Sequence, residues 1–259
     1  MMLLSEMWQI ISSSWLQILL VIAVAAVGSF IQRVSGFGFG IFVMIFLPYI
    51  ISDYGPATVL SSMMGLVLSL QVSVTKRKHI NWRLVLPCLA TAMITTVLSV
   101  IFMTKQSGST LKLLLGIVLI LLSVYFIFFS KRLKVSGNIP TGLGVGLLSG
   151  VMSGLFAMSG PPVVVYMLSA AATATEYIAT IQAYFAALSV FTIGTKIVAG
   201  FFTVQVFVFF VFGAIGVVVG NIVGSRVFDK LNTDMIKRIA YIVMAVSGVV
   251  TMLSALGVI

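Results

Sequence analysis

Two short stretches of glycine, serine and proline interrupt an otherwise apolar sequence, and they carry the residue types best suited to holding a small anion. The first reads Ser-Gly-Phe-Gly-Phe-Gly at residues 35–40, and the second reads Ser-Gly-Pro-Pro at residues 159–162. A short apolar run follows each stretch, so a helix is predicted to begin at each. Because the first N–H groups of a helix lack intrahelical partners and carry partial positive charge, each break predicts a helix end that attracts an anion.

The roles expected of the break residues follow from their types. Ser35 and Ser159 can cap the helices, the glycines let a ligand approach the backbone, and Pro161 suits a first helical turn. Either break alone is also consistent with a simple Gly/Pro kink, but their occurrence at equivalent positions favours a binding site. The predicted substrate-binding residues are Arg33, Ser35, Gly36, Phe37, Gly38, Ser159, Gly160, Pro161, Gln182 and Tyr184.

Few charged side chains are predicted to lie near these breaks. Arg33 precedes the first break and could donate two hydrogen bonds to a sulfonate or carboxylate, or else reach to the lipid headgroups. Asp53 and Glu176 begin the segments after the short runs, and they are candidates for proton or ion coupling as well as for ordinary helix N-terminal acids. Lys196 ends a segment and is expected at the membrane interface. We therefore expect Arg33→Gln to weaken anion binding more than Lys196→Gln.

The residues needed for enzymatic or metal chemistry are sparse. The single histidine, His79, and the single cysteine, Cys88, are not accompanied by acids at metal-ligand spacing, so no metal and no other cofactor is expected. No Gly-x-Ser-x-Gly or His-Glu-x-x-His motif occurs, and we expect the protein not to be an enzyme. The net charge of +10 comes from basic residues in short loops, where it indicates membrane topology rather than nucleic-acid binding.

The elements that must position these residues are membrane helices. Of the 259 residues, 61% are hydrophobic and only 8% are charged, whereas a soluble domain carries roughly 25% charge. Long apolar runs throughout the chain therefore predict an all-α polytopic membrane protein. The ten predicted segments are 14–34, 36–51, 57–75, 84–104, 110–130, 139–157, 161–172, 177–198, 203–224 and 235–257. The second and seventh are too short to cross a bilayer, whose apolar layer is about 30 Å thick.

The ten segments divide into two halves of five with the same order of long run, break and short run. A shift of 122 residues places Gly28 on Gly150 and the first break on the second. A pair of interrupted segments at equivalent positions is typical of a transporter binding site. Glycines spaced by four residues, at 142–154 and 216–224, predict close helix packing around the short runs.

The loop charges predict that the two halves are inverted with respect to each other. Basic residues follow the third segment of the first half, at 76–83, but the fourth segment of the second half, at 226–238. Because basic loops are cytoplasmic, corresponding helices should run in opposite directions. We therefore predict two inverted-topology repeats of about five helical segments each, 1–131 and 139–259, with a basic linker at 132–138. Short broken or re-entrant helices form the second segment of each repeat, and both termini face outward.

The residues at the two breaks resemble those of the sulfite exporter TauE/SafE family, also called the toluene sulfonate uptake permeases. The resemblance rests on residues 35–40, 149–154 and 159–162, and the length, the paired halves and the central basic linker extend it over nearly the whole chain. It implies a multi-pass protein of the cytoplasmic (inner) membrane that moves small sulfur-containing anions such as sulfite, thiosulfate, taurine or sulfoacetate. The Pro-Pro pair of the second break departs from a plain Gly-x-Gly.

The mechanism favoured by these observations is secondary transport by alternating access around an anion site near the membrane midplane. The sequence contains no ATP-binding loop, so a substrate gradient or a coupled proton or other ion would supply the energy. An anion channel, a transporter of another small organic anion and a non-transporting scaffold are the alternatives. The expected partners are a small anionic substrate and the lipid bilayer, with no nucleic acid.

Overall fold

The computed structural model describes residues 2–51, 53–128, 136–227 and 233–258, with the side chains of 2–5, 227 and 233–238 left aside. Every regular element in these ranges is helical. The helices are α1 (Met2–Ser13), α2 (Trp15–Ser35), α3 (Phe39–Ile50), α4 (Tyr54–Thr75), α5 (Trp82–Thr104), α6 (Gly108–Phe128), α7 (Ile139–Phe156), α8 (Gly160–Ala170), α9 (Ala174–Val198), α10 (Val204–Val227) and α11 (Thr233–Ala255), with a 3-10 turn at Arg77–His79.

All ten predicted segments appear as helices α2 to α11, and the all-helical prediction is confirmed. Helix α1 was not predicted, because its twelve residues are too few to cross a bilayer and carry polar groups such as Glu6. Ser14 separates it from α2. Residues 132–135 of the predicted linker lie outside the described residues, as do the side chains of Lys230, Lys237 and Arg238 in the predicted basic loop at 226–238.

Seven of the described helices are long and apolar enough to cross a membrane, namely α2, α4, α5, α6, α7, α9 and α10. Their outer faces carry exposed leucines such as Leu98 and Leu121, which lipid chains would cover. The protein is therefore a multi-pass membrane protein.

Each short helix folds back along the helix before it. A Cβ built on Gly28 of α2 would lie 2.9 Å from a methyl group of Val43 in α3. In the second half, the Ser149 hydroxyl donates to the Ser159 carbonyl at 2.8 Å, and the Tyr166 hydroxyl donates to the Asn138 carbonyl at 3.3 Å. The twelve and eleven residues of α3 and α8 rise only about 18 and 17 Å. Both helices therefore return toward the side from which the preceding helix started.

The helices pair in the same way in both halves. Helix α2 packs on α10 and α5 on α7, so the first element of each half lies against the fourth element of the other. The third elements, α4 and α9, pack together, and so do the fifth elements, α6 and α11. Gly116 lies beside Gly248, while Ser123, farther along α6, donates to the carbonyl of Tyr241, which precedes Gly248. Helices α6 and α11 therefore run antiparallel.

The glycine stripes lie at the closest of these helix contacts, as predicted. Gly146 and Gly150 of α7 face backbone carbonyls of α5, and Gly216 and Gly220 of α10 face carbonyls of α2. A Cβ at any of these four positions would overlap the facing backbone. Small residues are the ones that allow membrane helices to approach this closely.

Candidate anion site

The two helix breaks meet in space. Gly40, in the first turn of α3, faces the carbonyl oxygen of Ala157, the residue that ends α7, and a Cβ on Gly40 would overlap that oxygen. A Cβ on Gly160 would lie 3.7 Å from the Cβ of Phe37. Residues about 120 positions apart in the sequence are thus in direct contact, and the two breaks lie side by side.

The first break depends on left-handed backbone conformations at two glycines. The φ angles of Gly36 and Gly38 are 86° and 108°, values that favour glycine. Ser35 does not cap α3 as predicted, because its hydroxyl donates to the carbonyls of Ile31 and Phe37. The side chain of Gln32 takes this role instead and accepts a hydrogen bond from the Phe39 N–H at 3.0 Å.

Ser159 precedes α8, but its side chain makes no capping hydrogen bond either. A cap accepts from the N–H of the second or third helical residue, and here those residues are Pro161 and Pro162, which have no N–H. The two breaks therefore differ in their donors. The first turn of α3 offers the N–H groups of Gly40 and Ile41, whereas the prolines remove most donors from α8.

A polar cavity lies between the breaks and the central helices α4 and α9. Its volume is about 50 Å³, where a single water needs about 10–15 Å³ on the same measure, so it can hold a small oxyanion. Three predicted residues line it: Gly38, Ser159 and Gly160. The other lining residues are Gln32, Phe39, Gly40, Ile41, Ser61, Ser62, Gly65, Ser69, Ser153, Ala157, Met158, Phe185 and Ser189.

Serine hydroxyls supply most of the polar side chains in the cavity wall, and sequence reasoning missed all of them except Ser159. Ser61, Gly65 and Ser69 follow one another at every fourth residue, so they share one face of α4. Ser61 is 1% exposed, and its hydroxyl has no hydrogen-bond partner among the described residues. The signal in the sequence was this small-residue stripe at 61, 65 and 69 within an apolar segment.

Two of the predicted contact residues support the breaks from behind the cavity wall. The Tyr184 hydroxyl donates to the Ser149 hydroxyl at 2.7 Å, and Ser149 holds the Ser159 carbonyl. The amide of Gln182 makes a long hydrogen bond, 3.5 Å, to the carbonyl of Gly36. The Gln182 carbonyl oxygen is buried without a partner among the described residues.

Other predicted residues of the breaks belong to an adjoining apolar cavity of about 30 Å³. Ser35 and Phe37 line it, and the Phe37 ring lies 5.1 Å from the ring of Phe126. Gly38 borders both cavities. Pro161 is buried beside the second break and does not line the polar cavity.

Arg33, Asp53 and Glu176 lie outside the polar cavity. Arg33 is exposed, and its stem rests on Gly224 of α10. Asp53 is exposed at the start of α4. Glu176 accepts hydrogen bonds from the Asn81 amide at 2.7 Å and from the Ala172 N–H at 3.1 Å, which joins the start of α9 to the start of α5.

Lys196 lies in the last turn of α9, as expected, but its side chain is buried within the protein. Its side chain is 0% exposed, and its ammonium donates to the Ser153 carbonyl at 3.4 Å. Because a helical side chain points back along its helix, Lys196 reaches into the contact between α9 and the end of α7 instead of out to the lipid headgroups. Among the described residues, no group of three His, Cys, Asp or Glu side chains could hold a metal ion.

Comparison with known proteins identifies a family for this chain. The chain is 28% identical over 150 residues to a protein named "Probable sulfite/organosulfonate exporter TauE" from Cupriavidus necator, an alignment that covers 55% of this chain. The chain thus spans a little over half, 57%, of that relative's length. No solved structure matches. Residues 20–251 match the sulfite exporter TauE/SafE family, and the chain therefore belongs to that family.

Proposed function

We propose that this protein is a secondary transporter that carries small sulfur-containing anions, such as sulfite, thiosulfate or an organosulfonate like taurine or sulfoacetate, across the cytoplasmic membrane. The observation that carries the proposal is the serine-lined cavity at the meeting point of two broken helices. The family and the printed name of the Cupriavidus necator relative support this substrate class.

The cavity has the chemistry that an oxyanion needs. Sulfite and sulfonate oxygens accept hydrogen bonds, and the wall offers hydroxyl donors together with the N–H groups of Gly40 and Ile41. No carboxylate is among the described lining residues, so no fixed negative charge repels the ligand. The orphan Ser61 hydroxyl would gain a partner when the anion binds.

The arrangement of the two helical hairpins supports alternating access. The α2–α3 and α7–α8 hairpins touch at Gly40 and Ala157, and the anion would sit beside this contact. Rocking of one hairpin against the other would open the site to either side. The equivalent pairing of helices and the antiparallel α6 and α11 support two inverted repeats.

The orientation proposed from the loops agrees with the contacts between them. The basic loop at 76–83 would be cytoplasmic, and Asn81 in this loop holds Glu176 at the start of α9. Arg33 and Arg226 lie in the last turns of α2 and α10, and the contact between Arg33 and Gly224 supports a shared side for both. Both termini would then face outward.

Uptake into proteoliposomes tests the proposal. Labelled sulfite, thiosulfate, taurine and an unrelated dicarboxylate are offered to wild-type protein, to Gly38→Ala and to Gly200→Ala. Gly200 has a φ of 83°, like the left-handed Gly38, but lies in open space outside the cavity, so it controls for backbone strain. We expect saturable uptake of at least one sulfur anion, lost in Gly38→Ala and kept in Gly200→Ala.

Two results would contradict the proposal. Saturable transport of the dicarboxylate alone would overturn the sulfur-anion assignment. Absence of trans-stimulation by unlabelled substrate would show a channel instead of a carrier.

A further inference from the structure

Lys196 is a fully buried lysine, and no carboxylate in the described part of the protein pairs with it. The hydrogen bond to the Ser153 carbonyl is the one polar contact that the ammonium makes among the described residues. That carbonyl already accepts the Ala157 N–H at 3.1 Å, so it compensates the ammonium only in part. A buried charge of this kind is costly unless a counter-ion accompanies it, and in membrane proteins it marks a functional site.

The position of Lys196 joins it to the polar cavity. Phe185, Ser189, Thr192 and Lys196 recur at helical spacing and so share one face of α9, and the first two line the cavity. Ser153 also lines the cavity, its hydroxyl lies 2.9 Å from the Thr192 hydroxyl, and its carbonyl holds the ammonium. The ammonium therefore lies directly behind Ser153 of the cavity wall. The flexible four-carbon side chain of Lys196 would let it reach a ligand in the cavity.

The C-terminal end of helix α7 gives a reason for a cation beside the cavity. Helix α7 ends at Phe156, and Ala157 after it lines the cavity. A helix C-terminus carries partial negative charge, which opposes anion binding. The Lys196 ammonium of α9 lies beside the last turn of α7, on the Ser153 carbonyl, and offsets that charge. The α2 end carries Arg33 in its last turn, but this side chain is exposed.

We propose that Lys196 provides the positive charge that binds the transported anion, which it meets at the Ser153 side of the cavity. The inference rests on the proposed function and adds the specificity for anions to it. It also reverses the order expected from the sequence, because Lys196 is buried beside the cavity while Arg33 is exposed.

The test compares Lys196→Met, Lys196→Gln and Lys196→Arg with Lys105→Met, which removes an exposed lysine at the end of α5. Two quantities are measured on purified protein: the KM for sulfite uptake, and the rise in Tm on adding sulfite, thiosulfate, taurine or the dicarboxylate. We expect Lys196→Met and Lys196→Gln to raise KM at least tenfold and to abolish the Tm rise. Lys196→Arg should retain much of both, and Lys105→Met should match wild type.

The Gln variant helps to separate a binding role from a structural one, because it removes the charge and keeps an N–H donor, on a side chain one bond shorter. If the Met variant does not fold, KM and the Tm rise are measured on the Gln variant instead. An unchanged KM in either neutral variant would overturn the inference, whatever the Tm of the free protein.

The panel distinguishes this inference from the proposed function. If only the dicarboxylate raises the Tm of wild type, and the neutral variants remove that rise, Lys196 binds anions but the sulfur assignment fails. If wild type transports sulfur anions and the variants do so equally well, the function holds and the role of Lys196 fails. If no anion raises the wild-type Tm or is taken up, both fail.

Discussion

Gly40 faces the carbonyl oxygen of Ala157 so closely that a Cβ on Gly40 would overlap this oxygen. This contact joins the start of α3 to the end of α7 and brings both breaks to one cavity. Ala157 has a φ of 55°, the only positive value outside glycine among the described residues. The backbone around Gly40 leaves no room for a Cβ atom at that residue.

Gly40→Ala is the first prediction. Because the new methyl group must displace backbone, we expect it to cost about 1–3 kcal/mol of stability and to abolish uptake. The control is Gly144→Ala, since no atom lies within 4 Å of a Cβ at Gly144 in α7. Thermal unfolding in detergent and sulfite uptake in liposomes are measured for both. Full uptake by Gly40→Ala with an unchanged Tm would refute close packing at this contact.

Ser61→Ala tests the hydroxyl without a partner. Its removal breaks no hydrogen bond with any described residue, so the Tm should stay within about 2 °C of wild type. A hydrogen bond to a charged group is worth about 1.5–3 kcal/mol, so KM should rise about tenfold or more. Ser73→Ala, which removes a donor to the Ser69 carbonyl elsewhere on α4, serves as the control. An unchanged KM in Ser61→Ala would exclude this hydroxyl as a ligand.

Tyr184→Phe tests whether Tyr184 supports the second break or binds substrate directly. The hydroxyl acts through Ser149 on the Ser159 carbonyl, so we expect Tyr184→Phe and Ser149→Ala each to cost about 1 kcal/mol. In the double variant the losses should not add, because both substitutions break the same hydrogen-bond chain. Thermal unfolding of the four proteins gives the coupling energy. A large rise in KM with no loss of stability in Tyr184→Phe alone would favour a direct ligand.

Glu176→Gln addresses ion coupling and is compared with Asp53→Asn, which changes the other, exposed candidate for coupling. The Glu176 carboxylate accepts two hydrogen bonds away from the cavity, and a neutral amide accepts them more weakly. We therefore expect a lower Tm for Glu176→Gln and an unchanged dependence of uptake on an imposed pH gradient. Selective loss of that dependence would instead support the coupling role predicted from the sequence.

Local composition was sufficient to predict the ten segments from 14–34 to 235–257. Helices α2 to α11 occupy these segments because transfer into lipid is decided by runs of apolar residues within one helix. The same reasoning located the two breaks, since glycine and proline act on the backbone of their own neighbours. It missed α1, which is too short for a span, and it assigned capping to Ser159, which precedes two prolines without N–H groups.

The sequence by itself therefore determined a helical membrane protein with two broken helices at equivalent positions in its halves. Only the tertiary structure decided which residues surround the cavity: Ser61 of α4 and Ser153 of α7, with Lys196 behind the wall. The physical reason is that hydropathy does not distinguish a side chain buried in lipid from one buried in protein. The residues of a site depend instead on which helix faces contact each other. Those faces are selected by glycine contacts between residues far apart in the chain, such as Gly220 with Ala26 and Gly40 with Ala157.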